Sequence, residues 1–355
     1  MKKIFITNLL ILNILFVFGQ APSGYYTLAN GKMKAELKTM LFQIINAHTQ
    51  RTYAQLWTDF VSTDSRDNEQ VWDMYSNCDF TFGTDQCGNY NSECNCYNRE
   101  HTFPASWFGG STSAPMYTDL FHLVPTDGWV NNKRGNLPLG EVSSASYVSG
   151  NGSKVGTSGF DGYSGTVFEP VDEYKGDFAR IYFYVVTCYE NNVASWYNYS
   201  DAQPTINGTT YPAFQKWAIN LLLKWSRQDP VSQKEIDRNN AVYSIQNNRN
   251  PFVDHPELAE YIWGMHTNEP WTVSDNVDDI TTIPITIVYN KQNGSVQIIC
   301  EQTFNSFTLT NLSGQTVTSG AVDGNIIQLN PLANGLYLIT LNNNSIRITQ
   351  KLLVF

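Results

Sequence analysis

The feature that most constrains the fold of this chain is a change of sequence pattern near residue 283. The long part before that point has helical-period stretches near Lys32–Arg51 and Pro212–Arg227, and enough apolar residues to form a substantial core. The part after it consists of short β-branched runs separated by Asn-Gly, Ser-Gly and Asp-Gly turns. Because the two patterns have different periods, the sequence predicts two domains: an α+β domain, mixed and largely helical, followed by a small β-sandwich.

Segment boundaries within the 355 residues follow from local composition. A signal peptide is predicted at 1–20. This segment has two lysines near its start, then an apolar run too short for a membrane span, and it ends in small residues typical of a cleavage site. Residues 266–282 are polar, acidic and without periodicity, so they are predicted to link a first domain at 21–265 to a second at 283–355. No later run is long enough for a transmembrane helix, which predicts no membrane span, export through the periplasm, and a location outside the cell or at its surface.

The six cysteines agree with an oxidising compartment. Four of them crowd into nineteen residues: Cys78, Cys87, Cys94 and Cys96. A zinc site would use such a cluster, but Cys94-x-Cys96 is tighter than the usual ligand spacing, so disulfide bonds are favoured. The sequence does not determine their pairing, and a cross-link to Cys188 stays open.

The net charge of −10 limits the ways in which this chain can interact with nucleic acid. Residues 21–283 contain 17 basic and 30 acidic residues, so this part lacks the broad basic surface of a tight nucleic-acid binder. The charge argues against a DNA-binding regulator. It is compatible with an enzyme that makes transient contact with a polyanion through a local cationic groove and bound cations.

One short window of the first domain contains the groups that hydrolysis of a phosphodiester requires. His101 is suited to be the general base, since the ordinary pKa of histidine lies near neutrality. Glu100 and Asn131 offer a carboxylate oxygen and an amide oxygen, which suit one Mg²⁺ ion that keeps much of its hydration shell. On a regular strand Glu100 and His101 point to opposite faces, so we expect a strand end or a bend beside them.

Three arginines are candidate substrate contacts. Arg134 lies three residues after Asn131, on the same face if the segment is helical, and either binds a phosphate or forms a structural ion pair. Arg99 precedes Glu100 and either contacts the substrate or stabilises the fold through a salt bridge. Arg249, within Asn248-Arg249-Asn250, is assigned to the substrate groove.

The window Asn98–Val142 contains the motifs NREH and VNNKRGN and resembles the extracellular bacterial endonuclease I family. Blocks at 176–184 and 246–257 keep the order and spacing of that family, so the resemblance covers most of residues 30–265. It implies a ββα-metal, or His-Me finger, active site, in which Glu100 and His101 lie on or after a strand and Asn131 on the following helix. It also implies that Glu100 and Asn131 bind the metal and that His101 activates water.

The C-terminal region resembles the sorting domain of type IX secretion cargo. The resemblance lies in Leu312–Gln315, in Asn334–Tyr337 and in the closing Lys351–Phe355. The opening at Val288–Lys291 departs from that family because it lacks Tyr-Pro-Asn-Pro. The resemblance implies that the type IX secretion machinery is a partner of this chain. A carbohydrate-binding or adhesive module is the alternative, and the turn pattern alone does not separate the two.

These observations predict a secreted, sequence-nonspecific, Mg²⁺-dependent endonuclease that leaves 5′-phosphate products. DNA is the predicted main substrate and RNA a second one, since the family reads backbone geometry and not bases. One alternative is a cell-surface binding or adhesion protein with an inactive nuclease-like domain, which the acidic charge and the lack of an arginine in Gly109–Thr118 would fit. Another is a secreted hydrolase of small phosphodiesters. The sequence leaves the oligomeric state open.

Overall fold

The computed structural model describes residues 21–273, 285–291, 293–300, 303–311, 315–343 and 347–354. The predicted signal peptide at 1–20 and part of the predicted linker, 274–282, lie outside the described residues, as do positions 312–314 and 355 of the C-terminal motifs. The chain divides into two compact units, and the first ends at Val273. Among the described residues, the first unit has two clusters of buried apolar side chains and the second unit has one.

Helices provide most of the regular structure of the first unit. They are α1 (Lys34–Ile45), α2 (Leu56–Thr63), α3 (Gly128–Arg134), α4 (Lys175–Cys188), α5 (Glu190–Val193), α6 (Lys216–Gln228), α7 (Gln233–Gln246), α8 (Pro251–Asp254) and α9 (Leu258–Ile262). Every residue of α4 is buried, because α1, α6 and α8 pack around it. Its sequence is accordingly apolar on several faces. None of the helices that the structure describes has the length and apolar character needed to cross a bilayer.

Two buried arginines join the helices that surround this core. Arg180 on α4 makes a bidentate contact with Glu235 on α7, with N–O distances of 2.5 and 2.8 Å. Arg238 on α7 pairs with Asp64 at 2.8 Å, and its NH2 donates to the carbonyl oxygen of Leu123 at 2.9 Å. These partners satisfy charges that would otherwise be costly to bury. They also attach the chain at Leu123 to the helical core.

The β-strands of the first unit form two small sheets in the part of the chain that the structure describes. One is the antiparallel pair of β1 (Tyr97–His101) and β2 (Leu123–Asp127); the other is the antiparallel order β3 (Val142–Val148), β4 (Lys154–Ser158) and β5 (Thr166–Glu169). Helix α3 follows β2 directly, which gives the ββα order that the family resemblance implied. The predicted α+β class, with a largely helical first domain, is confirmed.

Two disulfide bonds close the loop before β1. They join Cys78 to Cys94 and Cys87 to Cys96, which confirms the disulfide interpretation and supplies the pairing that the sequence left open. Cys188 lies apart from this loop, buried at the C-terminal end of α4. The cross-link considered for Cys188 is therefore absent among the described residues.

The first unit extends past residue 265, where the linker was predicted to begin. Trp271 is buried, forms an antiparallel bridge with Lys32, and donates its indole N–H to Glu257 at 3.1 Å. A buried tryptophan with a satisfied N–H holds residues 266–273 on the domain. Sequence periodicity missed this contact because a single aromatic residue among polar ones produces no repeating signal.

The second unit consists of β-strands. Those described are β6 (Thr286–Asn290), β7 (Ser295–Ile299), β8 (Ser306–Asn311), β9 (Thr316–Ala321), β10 (Ile326–Gln328), β11 (Gly335–Asn342) and β12 (Arg347–Val354). They form one antiparallel sheet in the order β10–β7–β6 and another in the order β12–β11–β8–β9. Alternate residues such as Val296, Ile298, Ile339 and Leu341 share one buried cluster. The predicted β-sandwich is confirmed.

We expect Arg180→Ala to lower the free energy of unfolding by about 3–5 kcal/mol, because it leaves Glu235 buried without its cation. Urea unfolding followed by tryptophan fluorescence measures this change. The control is Lys32→Ala, which removes an exposed pair with Glu36 and should cost less than about 1 kcal/mol. A loss for Arg180→Ala no larger than that of the control would contradict the structural role of this pair.

Candidate active site

The β1–β2 pair brings the two adjacent catalytic candidates to the end of a strand. Glu100 pairs with Val124, and His101, the last residue of β1, pairs with Leu123. The strand therefore ends where a strand end or bend was expected, immediately before Thr102. This position allows both side chains to contribute to one cleft, although they alternate along the strand.

Asp127 fixes the start of α3 as its N-cap. Its Oδ1 accepts hydrogen bonds from the backbone N–H groups of Trp129 and Val130 at 2.8 and 2.9 Å. Its Oδ2 accepts from the backbone N–H of Cys94 at 2.7 Å, in the disulfide-bonded loop. One carboxylate thus attaches the loop and β2 to the helix that contains Asn131.

A polar cleft of about 340 Å³ opens beside these elements. Its lining residues are Tyr90, Asn98, Arg99, Glu100, His101, Pro104, Ala105, Asn131, Asn132, Arg134, Gly135 and Asn136. Glu100 is the only carboxylate in this lining, and asparagine amides supply four of the eight other polar side chains. Such a lining suits a phosphate group and a hard cation better than an apolar ligand.

Glu100 is buried in the wall of the cleft, with 4% of its surface exposed. The Tyr75 hydroxyl donates to Glu100 Oε1 at 3.0 Å, and Arg134 NH1 lies 3.4 Å from the same oxygen. Oε2 has no hydrogen-bond donor among the described side chains. Burial raises the pKa of Glu100 to about 7, although Arg134 and the Tyr75 hydrogen bond act in the opposite direction. The carboxyl group can therefore exchange its proton for a cation near neutral pH.

The hydrogen bond of His101 determines which ring nitrogen is protonated. Nε2 lies 2.9 Å from the carbonyl oxygen of Tyr117. Because a carbonyl only accepts, Nε2 must donate, and Nδ1 of the neutral ring is the nitrogen with a lone pair. Among the described residues, the hydrogen bond of the His101 ring is the one that Nε2 makes. Burial, followed by the repulsion from His122, lowers the pKa of His101 to about 3, so the ring is neutral near pH 7.

Asn131 is oriented by a neighbour that the sequence predictions did not include. Asn131 Nδ2 donates to Asn98 Oδ1 at 2.8 Å, which leaves Asn131 Oδ1 as the acceptor available to a ligand. Asn98 lies two residues before Glu100 on β1, so both side chains leave the same face of the strand. This period-two spacing was the signal that would have identified Asn98. Tyr75 gave no comparable signal, because it is remote from Glu100 in sequence.

Arg134 is buried, with 1% of its surface exposed, although it contributes to the wall of the cleft. NH1 donates to the carbonyl oxygens of His101 at 3.3 Å and Gly135 at 2.9 Å, and NH2 donates to that of Thr102 at 2.5 Å. With the ion pair to Glu100, these contacts occupy most of the guanidinium. They favour the structural ion pair over a bidentate phosphate contact.

The other two candidate arginines differ in position. Arg99 lines the cleft, donates from NH1 to the carbonyl oxygen of Tyr53 at 2.6 Å, and stacks 3.5 Å from the centroid of the Tyr53 ring. Arg249 is 2% exposed and forms a bidentate ion pair with Asp254, with both N–O distances 2.7 Å. The structure does not bring Arg249 to the cleft, since its charge is satisfied inside the core. This corrects its assignment to a substrate groove.

Similarity to known proteins agrees with this geometry. Residues 33–257 match the Endonuclease I family, and residues 288–355 match the secretion system C-terminal sorting domain. The chain is 36% identical over 245 residues to an extracellular ribonuclease of Bacillus amyloliquefaciens, which covers 67% of this chain and 78% of that protein. An extracellular ribonuclease of Bacillus subtilis (strain 168) is 35% identical over 246 residues, with the same coverage. Endonuclease-1 of Buchnera aphidicola subsp. Baizongia pistaciae (strain Bp) is 26% identical over 170 residues, or 43% of this chain and 60% of that protein.

The family match spans the ββα unit, the cleft and the helical core together. Proteins of this family are generally metal-dependent nucleases, and the sorting domain indicates secretion. The chain therefore belongs to the Endonuclease I family and is a secreted nuclease with a C-terminal sorting domain for type IX secretion.

Proposed function

We propose that this nuclease is a sequence-nonspecific endonuclease that uses one Mg²⁺ ion to hydrolyse the phosphodiester bonds of DNA and RNA. The proposal rests on one observation. His101, whose Nδ1 has the lone pair, lines the same cleft as Glu100 and Asn131, and each of these two has an oxygen that no described side chain occupies. A general base beside two oxygen donors is the set that metal-assisted hydrolysis requires.

The donor atoms of the cleft fit a hard divalent cation. Glu100 offers an anionic oxygen and Asn131 a neutral one, and Mg²⁺ binds such groups while it retains several waters. The lining contains no cysteine, so ions that prefer sulfur find no ligand of that kind there. When bound, the ion supplies Lewis-acid stabilisation of the charge that develops on the phosphate and the leaving oxygen.

His101 takes the proton of the attacking water at Nδ1. The carbonyl of Tyr117 holds the opposite edge of the ring and fixes its orientation. A low pKa makes this imidazole a weak base by itself, so the negative charge of the bound phosphate must stabilise the imidazolium as it forms. The water oxygen bonds to phosphorus while the bond to the 3′-oxygen breaks. The leaving 3′-oxygen takes up a proton from a solvent water, so the products have a 5′-phosphate and a 3′-hydroxyl.

Two arginines have different tasks in this proposal. Arg134 keeps Glu100 in place through the buried ion pair and is a positioning residue. Arg99 lines the cleft without a carboxylate partner among the described residues, so it is the cation assigned to the substrate phosphate. The absence of an arginine in Gly109–Thr118 therefore does not leave the cleft without a cation.

The groups of the cleft favour recognition of the nucleic-acid backbone. Amides and guanidinium groups suit phosphate and sugar oxygens, whereas sequence is read through base edges. The names of the relatives, extracellular ribonuclease and Endonuclease-1, support action on both RNA and DNA. We accordingly propose both polymers as substrates, with double-stranded DNA as the main one.

Of the alternatives, the small-phosphodiester hydrolase would use the same three residues, Glu100, His101 and Asn131. The inactive surface protein would have no reason to retain them in one cleft. The dependence of activity on ionic strength distinguishes the proposed endonuclease from a hydrolase of small phosphodiesters. Polynucleotide cleavage that depends on several phosphate contacts weakens as salt rises, while hydrolysis of a small diester changes little.

We expect the purified full-length protein to nick and linearise supercoiled plasmid in the presence of Mg²⁺. Cleavage should stop when EDTA removes the ion. His101→Ala should slow cleavage by about 10²–10⁴-fold, because the general base is lost. Gel time courses measure both effects. The control is His266→Ala, since His266 pairs with Glu269 and is not a lining residue. Unchanged cleavage by His101→Ala would refute the choice of base, and a folded wild type that never cleaves would refute the function.

Asn98→Ala should weaken Mn²⁺ binding about 10–100-fold, since the amide of Asn131 loses the acceptor that orients it. Asn98→Asp retains an acceptor at the same position and should recover most of the affinity. Electron paramagnetic resonance of free Mn²⁺ measures these constants without any turnover. If Asn98→Asp binds as poorly as Asn98→Ala, then the Asn98 oxygen is not the group that orients Asn131.

The affinity for a divalent cation should fall as the pH drops through about 7, because the raised pKa of Glu100 lies there. Above that value the carboxylate is charged and binds the cation; below it the proton competes. His101→Ala should keep this pH dependence, since the pKa of His101 is about 3. Mn²⁺ titrations on both sides of neutrality test this, and a flat profile would contradict the assignment to Glu100.

A further inference from the structure

Most of the positive charge of the first unit is already paired with carboxylates. Residues 21–273 contain 17 lysines and arginines, and 13 of them lie within 4.0 Å of a carboxylate oxygen. The four without such a partner among the described residues are Lys34, Arg99, Lys133 and Lys216. Arg99 lines the cleft, and Lys133 lies on α3 two residues after Asn131. Positively charged side chains without a carboxylate partner are therefore scarce among the described residues, and two of the four, Arg99 and Lys133, lie in the ββα unit.

Lys133 is exposed and lies over two aromatic rings. Its Nζ is 4.5 Å from the centroid of the Trp129 ring and 5.8 Å from that of Tyr147 on β3. Trp129 precedes Lys133 by one helical turn, so the two side chains share a face of α3. The carboxylate of Glu93 in the disulfide-bonded loop is occupied by the Tyr147 hydroxyl at 2.9 Å and the Gly150 N–H at 2.6 Å. The ammonium group consequently remains available to an external anion.

Tyr90 connects this surface with the cleft. Its side chain lines the cleft and packs on Gly128, the first residue of α3, where an added Cβ would lie 2.5 Å from the ring. The loop that contains Tyr90 is closed by the two disulfides. Partly exposed rings therefore continue from the edge of the cleft to the Trp129–Lys133 face of α3.

We propose that Trp129, Lys133 and Tyr147 form a flanking-strand surface, which binds the part of a polynucleotide that lies outside the scissile phosphate. This inference rests on the proposed function and names a second contact region for its substrate. Lys133 contacts a neighbouring phosphate, and the rings of Trp129 and Tyr147 offer stacking faces to unpaired bases. Arg99 is the one cation of the cleft lining without a carboxylate partner among the described residues, and this surface extends it into a strip that follows the backbone.

Charge complementarity identifies the occupant as a polyanion. The acidic remainder of the domain repels nucleic acid, so an unpaired cation close to the cleft has a large share in capture. Because Lys133 follows Asn131 by two residues, their side chains leave α3 on nearly opposite sides, about 10 Å apart across the helix. This separation is comparable with the screening length of about 10 Å at moderate salt. Lys133 therefore acts on phosphates beyond the one that is cleaved.

The test compares Lys133→Glu with Lys216→Glu in the full-length protein. Lys216 is the matched control because it is also exposed and unpaired, but it begins α6 and is not a lining residue. We expect Lys133→Glu to raise the KM for plasmid or long RNA about tenfold with a small change in kcat, and Lys216→Glu to change both little. Equal KM values for the two variants would overturn the proposal.

A binding measurement separates this inference from the proposed function. In the His101→Ala background, anisotropy of a labelled single strand at several salt concentrations gives the number of phosphate contacts. Lys133→Ala should reduce the slope of log K against log salt by about 0.7, the value for one contact with a single strand. An unchanged slope would refute the surface even if the enzyme is active. A second comparison uses the catalytically active enzyme and the small substrate bis(p-nitrophenyl) phosphate. If Lys133→Glu lowers the hydrolysis of this substrate as much as the cleavage of nucleic acid, the variant has damaged the cleft, and the proposed surface is refuted as well. A wild type without cleavage would refute the function alone.

Discussion

The buried guanidinium of Arg134 is the interaction on which the geometry of the cleft depends. It lies on α3, donates to the carbonyl oxygens of His101 and Thr102 at the end of β1, and contacts the hydroxyl of Tyr182 on α4. A buried cation requires partners of this kind, and these come from the end of β1 and from α4. Arg134 in turn permits a carboxylate, Glu100, to be buried beside it. Strand, helix and core are therefore held together by the same charge that pairs with Glu100, the proposed metal ligand.

The distribution of charge explains how an acidic domain can act on a polyanion. Buried ion pairs such as Arg180–Glu235 and Arg249–Asp254 use arginine for internal structure. Basic residues counted from the sequence therefore overestimate the charge that is available to a ligand. In the proposed complex, substrate binding depends on the small unpaired set near the cleft, Arg99 and Lys133. The net charge of the domain determines its long-range electrostatic field, whereas the ion pairing of each basic side chain determines whether that side chain can contact a phosphate.

The parts of the site that depend on local spacing were predictable from the sequence. Glu100 and His101 are adjacent on one strand, and Asn131 follows on the next helix, so a single motif defines all three. The partners that orient them were not predictable. Tyr75 reaches Glu100 from a distant segment, and the place of Arg249 depends on Asp254 and on the packing of α7 and α8. Such contacts are set by tertiary structure, about which residue spacing says little.

The same division holds for the fold. Alternation and turn residues predicted the β-sandwich because each strand repeats the signal. Disulfide pairing was not predictable, since four cysteines allow three arrangements. The burial of Trp271 was not predictable either, because one buried residue in a polar segment produces no repeating pattern.

The acceptor that sets the tautomer of His101 belongs to the main chain and not to a side chain. Every amino acid at position 117 brings a carbonyl, so substitutions there change the ring that packs against the imidazole but keep the oxygen that receives its proton. The tautomer of His101 is thus independent of the side chain at position 117. Only a change in the path of the backbone between residues 115 and 118 would redirect the proton.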